Sequence, residues 1–459
     1  MKKTILTIAC SLLSMGMLQA QTAREEIAQI PERSGGNYLN YELVPLKSLT
    51  KTPKGYEPFY ISHYGRHGSR WLLGDNEYKG IIDQLEKAKT DGVLTAKGEE
   101  MLSRLKAFYP CTKKRLGELT SVGERQHHNI GKRMTENFPE VFSGKADVNA
   151  RSTTVVRCMM SMEAECEEIY AFNPKMAIHN DVSESFQFYM NRGTEPVLKR
   201  LQNSAERGKA MNEANQMFTH PDRFCAQLFS QPNYAQDSIR GGAGRFMNSV
   251  YNVATNMQSH DTDIDLLSFF TNDELYDQWR IKNIDWYLQH GAAPQTGGVQ
   301  QFSQYNLLTN IIETADTVVN RKGWNGATLR FGHEVALLPL ACLLELDSCG
   351  RAVEDMSKLD EQWVSYRIYP MACNIQLVFY RPVKGKSGDI LIKALLNEAE
   401  ATLPLPTDNF PYYKWSDFRK YFTDKLSNFR KNYPEEAEPA RENRGFPNFP
   451  NFPIMPPRQ

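Results

Sequence analysis

The stretch "GATLRFGHEVALLPLACLLELD", Gly326–Asp347, reads as a strand up to Phe331, a glycine, and then an apolar helix from about Glu334. The same plan stands in "ADVNARSTTVVRCMMSMEAECEEIYAF", Ala146–Phe172. It begins as a strand and takes helical periodicity from Thr153, with Ser152 as the expected N-cap. Upstream, "EPFYISHYG" (Glu57–Gly65) has the mixed apolar and aromatic character of a buried strand. Downstream, "CNIQLVFYRP" reads as another strand, and "DILIKALLNEA" as a strand running into a helix. Strands alternating with helices predict an α/β fold, with a mixed or largely parallel central sheet and helices on both faces.

The middle of the chain differs. "AERGKAMNEANQMF" and "NDELYDQWRIKNIDWYLQH" are polar, helix-favouring and poor in β-branched runs. The expected organisation is a leader at 1–20, a first α/β part at 21–180, a helical insert or cap at 181–320, a second α/β part at 321–440, and a tail at 441–459. The tail, "RGFPNFPNFPIMPPRQ", is too rich in proline to continue a helix. The first residues pair Lys2 and Lys3 with an apolar run of about 15 residues and end at Leu18-Gln19-Ala20. That order predicts a secretory leader cleaved near Ala20, and hence a periplasmic or secreted protein. The run falls short of the ~20 apolar residues a membrane span needs, and no stable membrane insertion is expected.

Lysine plus arginine balance aspartate plus glutamate at 54 each, which excludes the basic footprint of a general nucleic-acid binder. Any anion recognition must be local. Cysteines 111, 158, 166, 225, 342, 349 and 373 follow the leader, an odd set that leaves one thiol unpaired in a monomer.

Three of the predicted strand ends carry unusual polar residues: Arg66-His67-Gly68-Ser69-Arg70, Arg151 to Arg157, and His333-Glu334. In open α/β sheets, ligands gather beyond the carboxyl ends of the strands, where helix N-termini attract anions. Arginine's planar fork suits phosphate oxygens. Cations beside His67 keep its imidazole neutral and its lone pair available, as a nucleophile at phosphorus requires. His63 and His67 are four apart, but on a strand and its following turn rather than a helix, so no metal site is expected.

These stretches resemble the histidine acid phosphatases. The R-H-G-x-R-x-P motif appears as Arg66 to Leu72, with Leu72 where proline is usual. A G-x-L-T-x-x-G-x-x-Q stretch appears in "GELTSVGERQHHNIGKRM", Gly117–Met134. An R-S-T-x-x-x-R appears at Arg151–Arg157, and a G-H-acid at Gly332-His333-Glu334, all four in the family's order. The resemblance implies a phosphoglycerate-mutase-like fold with a helical insert, no cofactor and no metal. It implies His67 as the nucleophile, Glu334 as the proton donor, and Arg66, Arg70, Arg157 and His333 as phosphate ligands.

"LRFGHEVALLPL" and "FFTNDELYDQWRIKNIDWYLQHG" look most like the multiple inositol-polyphosphate phosphatase branch, phytase-like enzymes whose acid stands two residues after the histidine. Here Glu334 follows His333 directly and position 335 is valine. One step at a helix start rotates a side chain by about 100°. The expected partner is thus a small phosphomonoester, an inositol polyphosphate such as phytate. A sugar phosphate or a broad range of monoesters is the enzymatic alternative, and a non-catalytic binder of phospho-ligands the alternative of another class.

Overall fold

The computed structural model describes residues 22–434 apart from 192 and 194. The leader and the Pro- and Phe-rich tail lie outside the described residues. One sheet organises the molecule: β1 (Tyr56–Arg66), β2 (Asp147–Ser152), β3 (Ala177–Val182), β4 (Gly326–Gly332), β5 (Asn374–Pro382), β6 (Leu391–Leu396), β7 (Ala399–Ala401) and β8 (Tyr413–Lys414). Their order is β3-β2-β4-β1-β5-β6-β7, with β8 also on β6. β3, β2, β4 and β1 run parallel; β5, β6 and β7 continue antiparallel. The sheet is mixed, as expected.

Because side chains alternate across a strand, each strand feeds two cores. Tyr60 and Tyr64 of β1 join Ile375, Leu377 and Phe379 of β5 under the helices Tyr305–Val319, Glu334–Leu343 and Trp415–Asn432. Ile61, on the opposite face, joins Val148, Ala150, Leu329 and Val378 under the helices Ser121–Asn137 and Val156–Phe172. A third core lies mainly between helices. It packs Tyr78, Leu85 and Leu105 of the helices Asp75–Thr90 and Ala96–Phe108 against Phe246, Val250, Leu275 and Trp279 of the helices Gly242–Asn256 and Asn272–His290.

Two local expectations are overturned. "DILIKALLNEA" does not enter a helix: Asn397 and Glu398 take positive φ (52° and 63°) and fold β6 back on β7 as a hairpin. Positive φ at both central residues is the two-residue turn that matches strand twist. Glu398 is held there by Arg133, whose Nε and Nη2 donate to its carboxylate at 3.0 and 2.6 Å. Ser152 is not a cap either. It ends β2, and the helix begins at Val156 after Val155, with no side-chain cap.

What positions the site is register. Arg66 at the end of β1 lies beside Gly332 at the end of β4, and Ser152 at the end of β2 lies beside Phe331. Three parallel strands therefore release their chains at one edge.

Candidate active site

After β1 the chain turns through His67, Gly68 and Ser69 to Arg70. The His67 N–H donates to Gly332 O at 3.0 Å, which ties the turn to β4. Gly68 abuts Gly123 in the Ser121–Asn137 helix. A Cβ on Gly68 would sit 2.3 Å from the Gly123 carbonyl oxygen, and one on Gly123 would sit 2.3 Å from that of Ser69. Gln126, one turn further along the helix, accepts from the Ser69 N–H at 2.9 Å and donates to Ser69 Oγ at 3.0 Å. The second motif is thus the bed on which the first lies. Leu72, standing where the family has proline, is fully buried and donates its N–H to Tyr78 Oη at 3.0 Å, a bond proline cannot make.

His67 is fully buried. Its Nδ1 lies 2.8 Å from Gly68 O. A carbonyl only accepts, so Nδ1 carries the proton and Nε2 keeps the lone pair. Nε2 has no hydrogen-bond partner and stands 3.7 Å from Glu334 Oε2. Burial, then Arg66, Arg157, His333 and Arg70, hold the imidazole well below its ordinary pKa and keep it neutral.

Arg66 is fixed from behind. Its Nη1 donates to the carbonyls of Asn37, Pro370 and Tyr369 at 2.6, 3.0 and 3.2 Å, leaving buried Nε and Nη2 without hydrogen-bond partners. Arg70 donates Nη1 to Trp71 O at 2.9 Å, and its Nε is likewise orphaned. Arg157, in the first turn of its helix, donates Nη1 to Gly117 O at 3.2 Å and also leaves Nε free. Glu163 and Glu165, acids on the same helix, do not take it: Glu163 accepts from Asn180, and Glu165 from His127.

His333 precedes the Glu334–Leu343 helix. Its ring centroid lies 5.5 Å from that of His67, and its Nε2 3.4 Å from Thr153 Oγ1. Burial brings its pKa down to about 4; Glu334 opposes this, and Arg157, Arg66 and Arg70 reinforce it. Glu334 places Oε2 3.1 Å from Arg66 Nε. Burial pushes its carboxyl up, but Arg66, Arg70 and His333 together outweigh burial and hold it at about 2.

Arg66, His67, Arg70, Arg157, His333 and Glu334 thus converge. Arg151 does not: it donates to Tyr189 Oη at 2.8 Å and lies over the Phe186 ring. His128 faces Glu168, and Arg115 pairs with Glu118 at 2.7 Å. Residues to which the sequence assigns no role lie behind the cradle. His127 Nε2 is 3.1 Å from Arg66 O, and its Nδ1 is 3.1 Å from Glu165 Oε2, both residues fully buried. Asn256 donates to Arg70 O at 3.2 Å. The only sequence hint is that His127 stands one residue after Gln126.

Donor atoms of His67, His333 and Glu334 lie within 4.8 Å of one another, close enough to hold a metal ion. Three guanidinium groups around them repel a dication. Orphaned, buried N–H donors gathered at one spot fit an anion with several acceptor oxygens instead.

The fold is shared with the Bifidobacterium longum multiple inositol polyphosphate phosphatase, solved in complex with inositol hexasulfate. That match has a TM-score of 0.70 and 19% identity over 85% of this chain and 97% of that one. The phytase from D. castellii matches with a TM-score of 0.61 and 13% identity over 86% and 85% of the two chains. No curated protein matches the sequence significantly. Residues 65–397, most of the chain and every residue of the cradle, match the model of the histidine phosphatase superfamily (branch 2), and the chain belongs to that superfamily.

Proposed function

We propose that the protein hydrolyses phosphomonoesters, inositol polyphosphates above all, through a phosphohistidine on His67. The observation that carries this is the neutral, unpartnered Nε2 of His67 among the free N–H groups of Arg66, Arg70 and Arg157. A phosphoryl group seated there has its oxygens neutralised by guanidinium groups, and no other source of charge is needed.

In the first step Nε2 attacks phosphorus and the P–O bond to the alcohol breaks. Glu334 protonates the leaving oxygen. In the second, water attacks phosphorus, Glu334 takes its proton, the P–N bond breaks and inorganic phosphate leaves. His333, neutral, donates a hydrogen bond to a phosphoryl oxygen. The neutral Nε2 weighs against a mere binder, because a binding site gains more from a charged donor at that position.

The inositol-polyphosphate assignment draws on the fold shared with the B. longum enzyme and on the helical insert, whose Asn256 reaches the Arg70 backbone. Export rests on the leader; no helix among the described residues is long and apolar enough to cross a membrane.

Phosphate release from phytate, glucose phosphate and an aryl phosphate tests the whole reading. The wild type should favour phytate. His67→Ala should lose at least about a thousandfold on all three; near-normal turnover in that variant ends the proposal. Glu334→Gln should spare the aryl ester, whose leaving group needs no proton, and cripple the other two. Equal losses would assign the proton to another group.

A further inference from the structure

A buried carboxylate stands between two imidazoles beneath the loop that carries His67. Glu165 of the Val156–Phe172 helix, His127 of the Ser121–Asn137 helix and His63 of β1 are all shut off from solvent. Glu165 Oε2 lies 3.1 Å from His127 Nδ1, while its Oε1 lies 3.8 Å from His63 Nε2, too far for a hydrogen bond. Packing pins the acid in place: a Cβ on Gly131, one turn beyond His127, would sit 2.7 Å from the Glu165 carbonyl oxygen and 3.1 Å from its Cγ. On its other side the His127 ring puts Nε2 3.1 Å from Arg66 O.

The state of His127 follows from a count of protons. A carbonyl only accepts, so the bond to Arg66 O requires a hydrogen on Nε2. A neutral imidazole carries one N–H, and its bare Nδ1 would then face a carboxylate oxygen, lone pair against lone pair. The other neutral tautomer satisfies Glu165 and turns a lone pair on the Arg66 carbonyl instead. Both contacts are hydrogen bonds only when one further proton lies between His127 and Glu165. Among the described residues no lysine or arginine lies within ion-pair distance of Glu165, and an isolated buried carboxylate is costly. His63 does not supply the charge: burial, opposed by Glu165 and reinforced by His127 and Arg330, brings its pKa down to about 4.

The His127 contact falls on one peptide unit. Its carbonyl is that of Arg66 and its N–H that of His67, which donates to Gly332 O at 3.0 Å. Because a peptide is planar, a grip at both ends fixes the direction in which His67 leaves the backbone. We infer that His127, held doubly protonated by Glu165, is a positioning residue for phosphoryl transfer that orients the Arg66–His67 peptide and so aims His67 Nε2 at the bound phosphorus. The Arg66 guanidinium is anchored separately, by the carbonyls of Asn37, Tyr369 and Pro370, so phosphate binding does not depend on His127. This rests on the phosphohistidine reading above and names what aims the nucleophile.

The test compares His127→Gln and His127→Met with wild type on an aryl phosphate. Glutamine keeps an N–H donor within reach of Arg66 O; methionine has similar length and no donor. Methionine should lower kcat about a hundredfold, the cost of a small misplacement of the reacting atoms, with KM held within about threefold. Glutamine should recover about tenfold or more of that loss. Nitrogen NMR of the wild type at neutral pH needs no variant: the His127 ring, assigned through its own backbone, should carry hydrogen on both nitrogens. A single N–H on that ring, equal kcat for the two variants, or a methionine loss confined to KM would each overturn the inference. A wild type that accumulates no phosphohistidine on rapid quenching would sink that reading alone, and the ring protons and the ratio of the two variants would still decide His127.

Discussion

Glu334 poses a proton problem. The proposed donor is ionised before substrate binds at any pH above about 2, yet a general acid must begin protonated. The substrate solves this. A phosphomonoester monoanion carries one proton that it loses near pH 6, and a carboxylate whose Arg66 partner is claimed by phosphate is the natural recipient. The expected kcat/KM therefore falls about tenfold per unit above pH 6, with a limb that moves when the ester's own second pKa is changed. His67 contributes no limb near its ordinary pKa, since its folded value lies well below 6.5. A limb that stays fixed across esters of different acidity would place the proton on the protein instead. The residues behind this chemistry are legible in the sequence where residue type itself states a role, as with three arginines and a histidine at strand ends. His127 and Glu165 are not. Each acts through a neighbour remote in sequence, and a lone buried histidine or acid reads the same whether it supports a site or merely packs.

The elements that carry the site are readable because a buried strand, a glycine and an apolar helix differ in period. β4 and the helix after it fall where "GATLRFGHEVALLPL" puts them. The misreadings come where local chemistry is silent. The Val156–Phe172 helix starts without a side-chain cap, so Ser152 resembles one. The β6–β7 turn lacks glycine, and its helix-forming neighbours hide the hairpin; Asn397, a residue tolerant of positive φ, is the clue. At this scale the contact between Gly68 and Gly123 makes its own prediction. Gly123→Ala puts a methyl into the Ser69 backbone, where neither side can give way cheaply. It should destabilise the fold by about 1–3 kcal/mol in denaturant titration. It should also depress kcat/KM more than any comparable alanine substitution on the exposed face of that helix. A stable variant with full activity would mean that the loop is not held by this contact.

Across the whole molecule, the cradle concentrates like charge at a cost to stability. Arg66, Arg70 and Arg157 crowd together, and among the described residues Glu334 is the one carboxylate paired with Arg66. Filling the site should therefore steady the fold. Inorganic phosphate at a hundred times its Kd contributes about 2.7 kcal/mol, visible as a rise of a few degrees in Tm that chloride at matched ionic strength does not give. An equal rise with both salts would deny a built anion site. The mixed sheet and helical layers can be inferred from alternating patterns. The third core cannot, because it joins residues such as Leu72 and Phe108 to Phe224 and Trp279, a pairing no periodicity reveals. The same long-range assembly has a consequence for when the site exists at all. Arg66, Arg157 and His333 stand at or just beyond three strand ends that become neighbours only when β1, β4 and β2 have paired. A chain in which these strands have not yet paired therefore has no assembled cradle, and the anion site comes into being only as the sheet closes on β4.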